Sequence, residues 1–295
     1  MKYLHIDDIN LPELEVYTKL SEVQLLRYFE PDIGVFVSES ANVVLRALEA
    51  GYEPISLLVE DERLEKEARP VIDMIEAVCT QEIKDKVTVY IAGHELLKDL
   101  TGYALVRGLW AVLRRKPLPA LSDFCKNKNK LAVLYDIMNP TNAGAIIRSA
   151  AALGVDGVVL TSGSVNPLSR RSARVSMGTV FQVPWTFGEK EREEDNDNTD
   201  PAEVKGSGTG LIKQLHESGY TTVAMALTDD SVSVDDPRLK AAEKIAIVLG
   251  TEGDGLPEEV IKACTYTVKI PMQHNVDSLN VAAASAVAFW EILKR

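Results

Sequence analysis

Little in this 295-residue sequence is built on cysteine, histidine or long apolar runs. The three cysteines, Cys79, Cys125 and Cys264, are odd in number and widely separated, which excludes a disulfide framework and a Cys-x-x-Cys metal site. The four histidines, His5, His94, His216 and His274, have no partners at metal-ligand spacing, so no metal is expected. Neither a Ser/His/Asp nor a Cys/His arrangement has local support, and no internal repeat is visible. The longest apolar stretch, the Ala/Val-rich run into Phe289 and Trp290, is shorter than the ~20 residues a bilayer span requires, so no membrane partner is expected. The opening residues Met1-Lys2-Tyr3-Leu4-His5-Ile6-Asp7-Asp8 turn acidic before a signal-peptide core develops. These absences point to a cytoplasmic location.

Positive charge is also scarce. Lys and Arg number 32 against 44 Asp and Glu, a net charge of −12, which argues against non-specific coating of nucleic acid. The imbalance is uneven. Residues 189–203 hold eight acids and two bases, so half of the net charge sits in one segment. Residues 114–130 are basic, with Arg114, Arg115, Lys116, Lys126, Lys128 and Lys130 against Asp123. A second basic cluster is Arg170, Arg171 and Arg174. A nucleic-acid partner is weakened by the total and kept open by the clusters.

What is present is ordinary globular material: 46% hydrophobic and 26% charged residues exclude a disordered, collagen-like or coiled-coil chain. The length suits about two domains. Residues 1–113 read as a small α/β domain, with strand-length β-branched runs at 35–37, 55–59, 87–91 and 109–113. A helical pattern over 41–50 ends at Gly51, where a helix terminus favours a left-handed residue. Pro117 and Pro119 mark a basic linker over 114–130. From 131 to 295 apolar strands (131–135, 157–161, 222–227, 244–249, 266–270) alternate with helices at 145–153, 211–218, 257–263 and 279–293. That alternation predicts an α/β domain with a parallel sheet covered on both faces. Residues 189–208, charged and aperiodic, read as an acidic surface loop.

Ligands of such sheets bind beyond the carboxyl ends of the strands, and three segments fall there. In the first, Asn139 to Arg148, Asn142 and Arg148 are six apart, close to two helical turns, which predicts a shared face. Arg148 stands among Ile146, Ile147, Ala150 and Ala151, an odd place for a long cation unless it reaches a site. Alone, the segment is better explained as a capped helix with a surface arginine. The second, Leu249-Gly250-Thr251-Glu252-Gly253-Asp254-Gly255-Leu256-Pro257, is a glycine-rich strand–helix turn. It lacks GxGxxG and the Lys-Ser/Thr of a P-loop, and its carboxylates suit hydroxyl, amino or cationic groups better than phosphate. The third, Ile270-Pro271-Met272 through Asp277-Ser278-Leu279-Asn280-Val281, enters an Ala/Val helix that Ser278 or Asn280 would cap. That helix, apolar on nearly every side, must be buried by the core, by another subunit, or by both.

In this order the three segments resemble the motifs of the SpoU-type RNA methyltransferases of the SPOUT superfamily. Motif one is similar to Asn142–Arg148, motif two to Leu249–Leu256, and motif three to Ile270–Met272 with Asp277–Val281. Arg174-Val175-Ser176-Met177-Gly178 resembles a further family segment. The likeness covers about residues 131–295, and residues 30–113 more loosely resemble the RNA-binding substrate domain that often precedes it. The resemblance does not place the first 30 residues.

The resemblance implies a knotted parallel-sheet catalytic domain, bound S-adenosylmethionine, a homodimer formed through knot helices, and methylation of a ribose 2′-OH in tRNA or rRNA. It nominates Arg148, Asn142, Glu252, Ser278 and Asn280 as catalytic residues. Groups at Leu249, Gly250, Ile270, Met272, Ser278 and Leu279 would hold the cofactor. Arg170, Arg171, Arg174, Arg114, Arg115 and Lys116 would contact RNA phosphates. An arginine is a poor base, its pKa above about 12, so Arg148 suits stabilisation of a developing alkoxide and positioning of the phosphate, with its protonation role open. Two alternatives stand beside this reading. One is a non-catalytic RNA-binding or assembly factor that keeps the fold; the other is a nucleotide-dependent oxidoreductase, which the missing GxGxxG disfavours.

Overall fold

The computed structural model describes residues 1–294 except Ile9, 102–107, 189–207 and Asn275. The acidic loop expected at 189–208 therefore lies outside the described residues, apart from Gly208, which opens the helix Gly208–Glu217. The chain divides into two compact units, residues 1–117 with 168–182, and residues 118–167 with 183–295.

The first unit is built on five strands: β1 (Lys2–Ile6), β2 (Val35–Glu39), β3 (Pro54–Glu60), β4 (Thr88–Ala92) and β5 (Leu109–Arg114), in the order β1-β4-β3-β5-β2. β1, β4 and β3 run parallel, while β5 is antiparallel to both β3 and β2. The helix Ala41–Glu49 buries Val43, Val44, Ala47 and Leu48, the i, i+1, i+4, i+5 stripe of an amphipathic helix. Gly51 follows it with φ +74°, as the pattern predicts. The first 30 residues supply β1 and bury Leu14, Val16, Tyr17 and Leu25 in this unit's core. They escape a periodicity reading because their helices are only three to five residues long.

The second unit carries seven parallel strands: β6 (Lys130–Leu134), β7 (Gly157–Leu160), β8 (Trp185–Phe187), β9 (Thr221–Met225), β10 (Val232–Ser233), β11 (Ile245–Leu249) and β12 (Tyr266–Lys269), in the order β10-β12-β9-β11-β6-β7-β8. β11 and β7 are buried along their whole length, as their continuous apolar sequences require. The edge strands β8 and β10 are two or three residues long, too short to leave a pattern. The helix Pro140–Ala152 begins five residues before the apolar periodicity does. Asn139 caps it by accepting from Thr141 N–H at 2.9 Å, and Pro140 sits in its first turn, where a missing N–H costs nothing. It packs against the last helix, Val281–Leu293. No helix among the described residues is long and apolar enough to cross a membrane.

Both units depart from the expected boundaries. Leu121 and Phe124, inside the basic 114–130 segment, belong to the second unit's core beside Leu131 and Val133; prolines and lysines there mask two inward-facing apolar residues. Residues 168–182, expected within 131–295, pack with the first unit, where the Phe181 ring lies tilted against Phe36 and edge-on to Tyr52, with ring centroids 5.8 and 5.2 Å away.

Ser40, between β2 and the Ala41–Glu49 helix, has φ 74° and ψ 143°, a region that suits glycine. Its side chain is buried and its Oγ has no hydrogen-bond partner, so the hydroxyl gives nothing back. Ser40→Gly is expected to raise stability by about 1 kcal/mol, seen in thermal denaturation as a rise in Tm of about 2–4 °C.

Candidate active site

The carboxyl ends of β9, β11 and β12 open onto a cavity of about 500 Å³, within the ~300–1,000 Å³ of small-molecule sites. Three chain segments, with Ile261 beside them, build it: residues 225–227 leaving β9, 249–256 leaving β11, and residues between Val268 and Ala284 on the way from β12 into the last helix. All six residues expected at the cofactor, Leu249, Gly250, Ile270, Met272, Ser278 and Leu279, line it, together with Glu252 and Asn280. The stretch after β9 was missed, although its place at a strand's carboxyl end was the available signal.

Gly250 is where the second segment turns tightest. A Cβ there would lie 2.6 Å from the Gly255 carbonyl carbon and 2.7 Å from Leu256 N, so the 250–256 turn closes only over glycine. Gly255 has φ +71°, and a short bridge joins Thr251 to Gly255. The result is a compact glycine-rich turn lining the cavity beside apolar Leu249, Ile270 and Leu279. A cavity of this size, with a wall where backbone comes close enough to exclude a side chain at 250, fits an adenosine-bearing cofactor.

At the mouth, Asn280 gathers the polar residues. Its Oδ1 accepts from Ala282 N–H at 3.0 Å, capping the last helix. Its Nδ2 donates to Asn142 Oδ1 at 3.3 Å and to Glu252 Oε1. One carboxamide thus satisfies a helix terminus and brings together residues 138 and 28 positions away. Ser278 stands two residues earlier on the same exposed segment.

Arg148 is placed differently. Asn142 is buried toward Asn280, whereas Arg148 is exposed, lines no part of the cavity, and its guanidinium has no hydrogen bond or ion pair among the described residues. The expected shared face is corrected by helix geometry: at 100° per residue, six residues leave two side chains about 120° apart.

The turn into this helix is pinned. Asp136, at φ 51°, accepts from Thr161 Oγ1 at 2.7 Å, while Asp136 N–H donates to Thr161 Oγ1 at 2.8 Å and Ile137 N–H to Ser164 Oγ at 3.0 Å. Its carboxylate lies over Gly163, where a Cβ would come within 2.3 Å of Oδ1.

The basic residues expected at RNA divide into two groups. Arg115 is buried: its Nε donates to Val35 O at 2.8 Å, and burial lowers its pKa. Arg170 donates to Tyr17 O at 2.6 Å and lies 4.5 Å over the Trp110 ring. Both are committed to packing within the first unit. Arg174 pairs with Glu39 at 3.0 Å and Arg114 lies 4.6 Å over Phe29, each still half-exposed; Arg171 and Lys116 are exposed. No group of three or more His, Cys, Asp or Glu that would hold a metal occurs among the described residues. Cys264 is mostly buried, and burial pushes its thiol up to about 11, the state of an inert packing residue.

Residues 129–290 match the SpoU rRNA Methylase family model. An uncharacterized tRNA/rRNA methyltransferase of Mycobacterium bovis is 30% identical over 286 residues, 95% of this chain and 88% of that protein. Among solved structures, an AdoMet-bound rRNA methyltransferase from Sinorhizobium meliloti superposes with TM-score 0.74 at 21% identity, over 98% of this chain and 97% of the other. An RNA 2′-O ribose methyltransferase gives TM-score 0.69 at 23% identity, over 98% of each chain. The fold is that of an α/β methyltransferase. The chain belongs to the SpoU family, the S-adenosylmethionine-dependent tRNA/rRNA methyltransferases of the SPOUT superfamily.

Because backbone atoms of residues 255 and 256 leave no room for a side chain, Gly250→Ala is expected to force the turn open. Cofactor affinity should fall by about tenfold or more, measured by calorimetric titration with S-adenosylmethionine.

Proposed function

We propose that this protein methylates a ribose 2′-OH of tRNA or rRNA. The observation that carries the reading is the Asn142–Asn280–Glu252 cluster at the cavity mouth, formed by residues from all three motifs. The polar set is complete, which weighs against a non-catalytic RNA-binding factor that has kept only the fold.

The chemical problem sets the roles. When bound, S-adenosylmethionine supplies a methyl group already activated by its sulfonium, whereas a 2′-OH is a weak nucleophile that must be oriented and relieved of its proton. Main-chain groups around Leu249, Gly250, Ile270, Met272 and Leu279 would hold the cofactor's adenosine. Asn142 and Glu252, fixed through Asn280, orient the hydroxyl at the cavity mouth. Arg148, a permanent cation, steadies the developing alkoxide and the neighbouring phosphate. The half-exposed Arg114 and Arg174 and the exposed Arg171 and Lys116 supply RNA contacts from the first unit, which serves as the substrate-binding domain. Convergence of three separate segments on one cavity is also what a knotted C-terminal region would produce.

A homodimer accompanies this reading. Ala283, Val287 and Trp290 form an exposed apolar stripe on the last helix, with Trp290 54% exposed; such a stripe calls for a partner surface. That helix packs on the one bearing Arg148, so pairing there would also give Arg148 a reacting site that its own chain's cavity does not offer. Light scattering at low micromolar concentration should therefore report a dimer, and Trp290→Glu should shift it to monomer.

With labelled S-adenosylmethionine and total RNA from cells lacking this protein, the wild type should yield a 2′-O-methylnucleoside. Arg148→Ala should lower that transfer by ~10³-fold or more while binding the cofactor within about twofold of wild type. Cofactor binding with no transfer to any RNA would favour the non-catalytic reading.

A further inference from the structure

The cavity is walled with acid. Its titratable lining side chains are Glu252, Asp254, Asp277 and Lys269, three carboxylates against one ammonium. Glu252 is held by the neutral Asn280 amide. Asp254 and Asp277 are exposed and have no hydrogen-bond or ion-pair partner for their carboxylates among the described residues. They come from two different segments, the glycine-rich turn and the approach to the last helix, and face the same space. A cavity of about 500 Å³ is no wider than about one Debye length in 0.1 M salt, ~10 Å, so a charge inside it feels every wall.

Methyl transfer changes the charge of the occupant. The sulfur–carbon bond breaks with its electron pair left on sulfur, a carbon–oxygen bond forms, and the hydroxyl proton is released. The sulfonium becomes a neutral thioether, and the cofactor loses one positive charge.

Resting on the reading above, we propose that Asp254 and Asp277 make this cavity select the sulfonium form of the cofactor over its thioether product. Attraction to the carboxylates is present before transfer and gone after it, so the same walls that hold the donor release S-adenosylhomocysteine. An exposed carboxylate contributes about 1.5- to 5-fold to binding a nearby cation, and the two together about tenfold.

Calorimetric titration of the full-length protein with S-adenosylmethionine, S-adenosylhomocysteine and sinefungin, an analogue bearing an amine cation near the sulfonium position, tests this. Wild type should bind both cations about tenfold more tightly than the neutral product. Asp254→Asn with Asp277→Asn should reduce the preference to about twofold or less while leaving S-adenosylhomocysteine affinity unchanged, which also shows that the variant is folded. About 0.5 M salt should narrow the wild-type preference in the same direction. A wild-type preference untouched by the double variant and by salt overturns the inference. So does equal weakening of all three ligands, which would assign the carboxylates to parts the ligands share. Failure of all three to bind the wild type would overturn the cofactor reading itself.

Discussion

The Asn280 carboxamide ties the catalytic unit together. Its oxygen caps the last helix, and its amide donates to Asn142 and Glu252. The three residues come from segments that the chain reaches at different times. A parallel sheet gathers such segments at one edge because every strand delivers its following loop to the same end. Substituting an aliphatic side chain there would unsatisfy a helix terminus and release both neighbours at once.

A second constraint is steric. The 250–256 turn folds back until backbone groups of Gly255 and Leu256 occupy the space a side chain at 250 would need. Close backbone approach of this kind fits the proposed recognition through main-chain groups. This suits a ligand whose adenosine must be held while its reactive end is left for others. The carboxylates around the same cavity add a long-range component that side-chain packing alone would not supply. In the proposed reading, geometry selects the adenosine and charge acts on the sulfur.

The basic residues show how composition and position separate. Arg115 and Arg170 look like the other arginines in sequence, yet each is committed to main-chain carbonyls and aromatic faces of the first unit. Arginine stacks and hydrogen-bonds as well as it attracts phosphate. Only burial tells which use a given arginine serves, and burial is not local information.

Strand-length apolar runs, the capped helices and the three ordered motifs were legible in the sequence, because hydrophobic period and turn chemistry are local properties. They located every expected cofactor-facing residue on one cavity. The first 30 residues, the edge strands and the core role of Leu121 and Phe124 were not legible, because elements of two to five residues leave no period to read. The spacing of Asn142 and Arg148 suggested one face, but the helix turns them about 120° apart. By itself the sequence determined the family and the segments of the second and third motifs that line the cavity. The tertiary structure alone decided that Asn142, Glu252 and Asn280 meet, that Arg148 stands off its own chain's cavity, and that residues 168–182 pack with the first unit, since each of these is a contact between residues far apart along the chain.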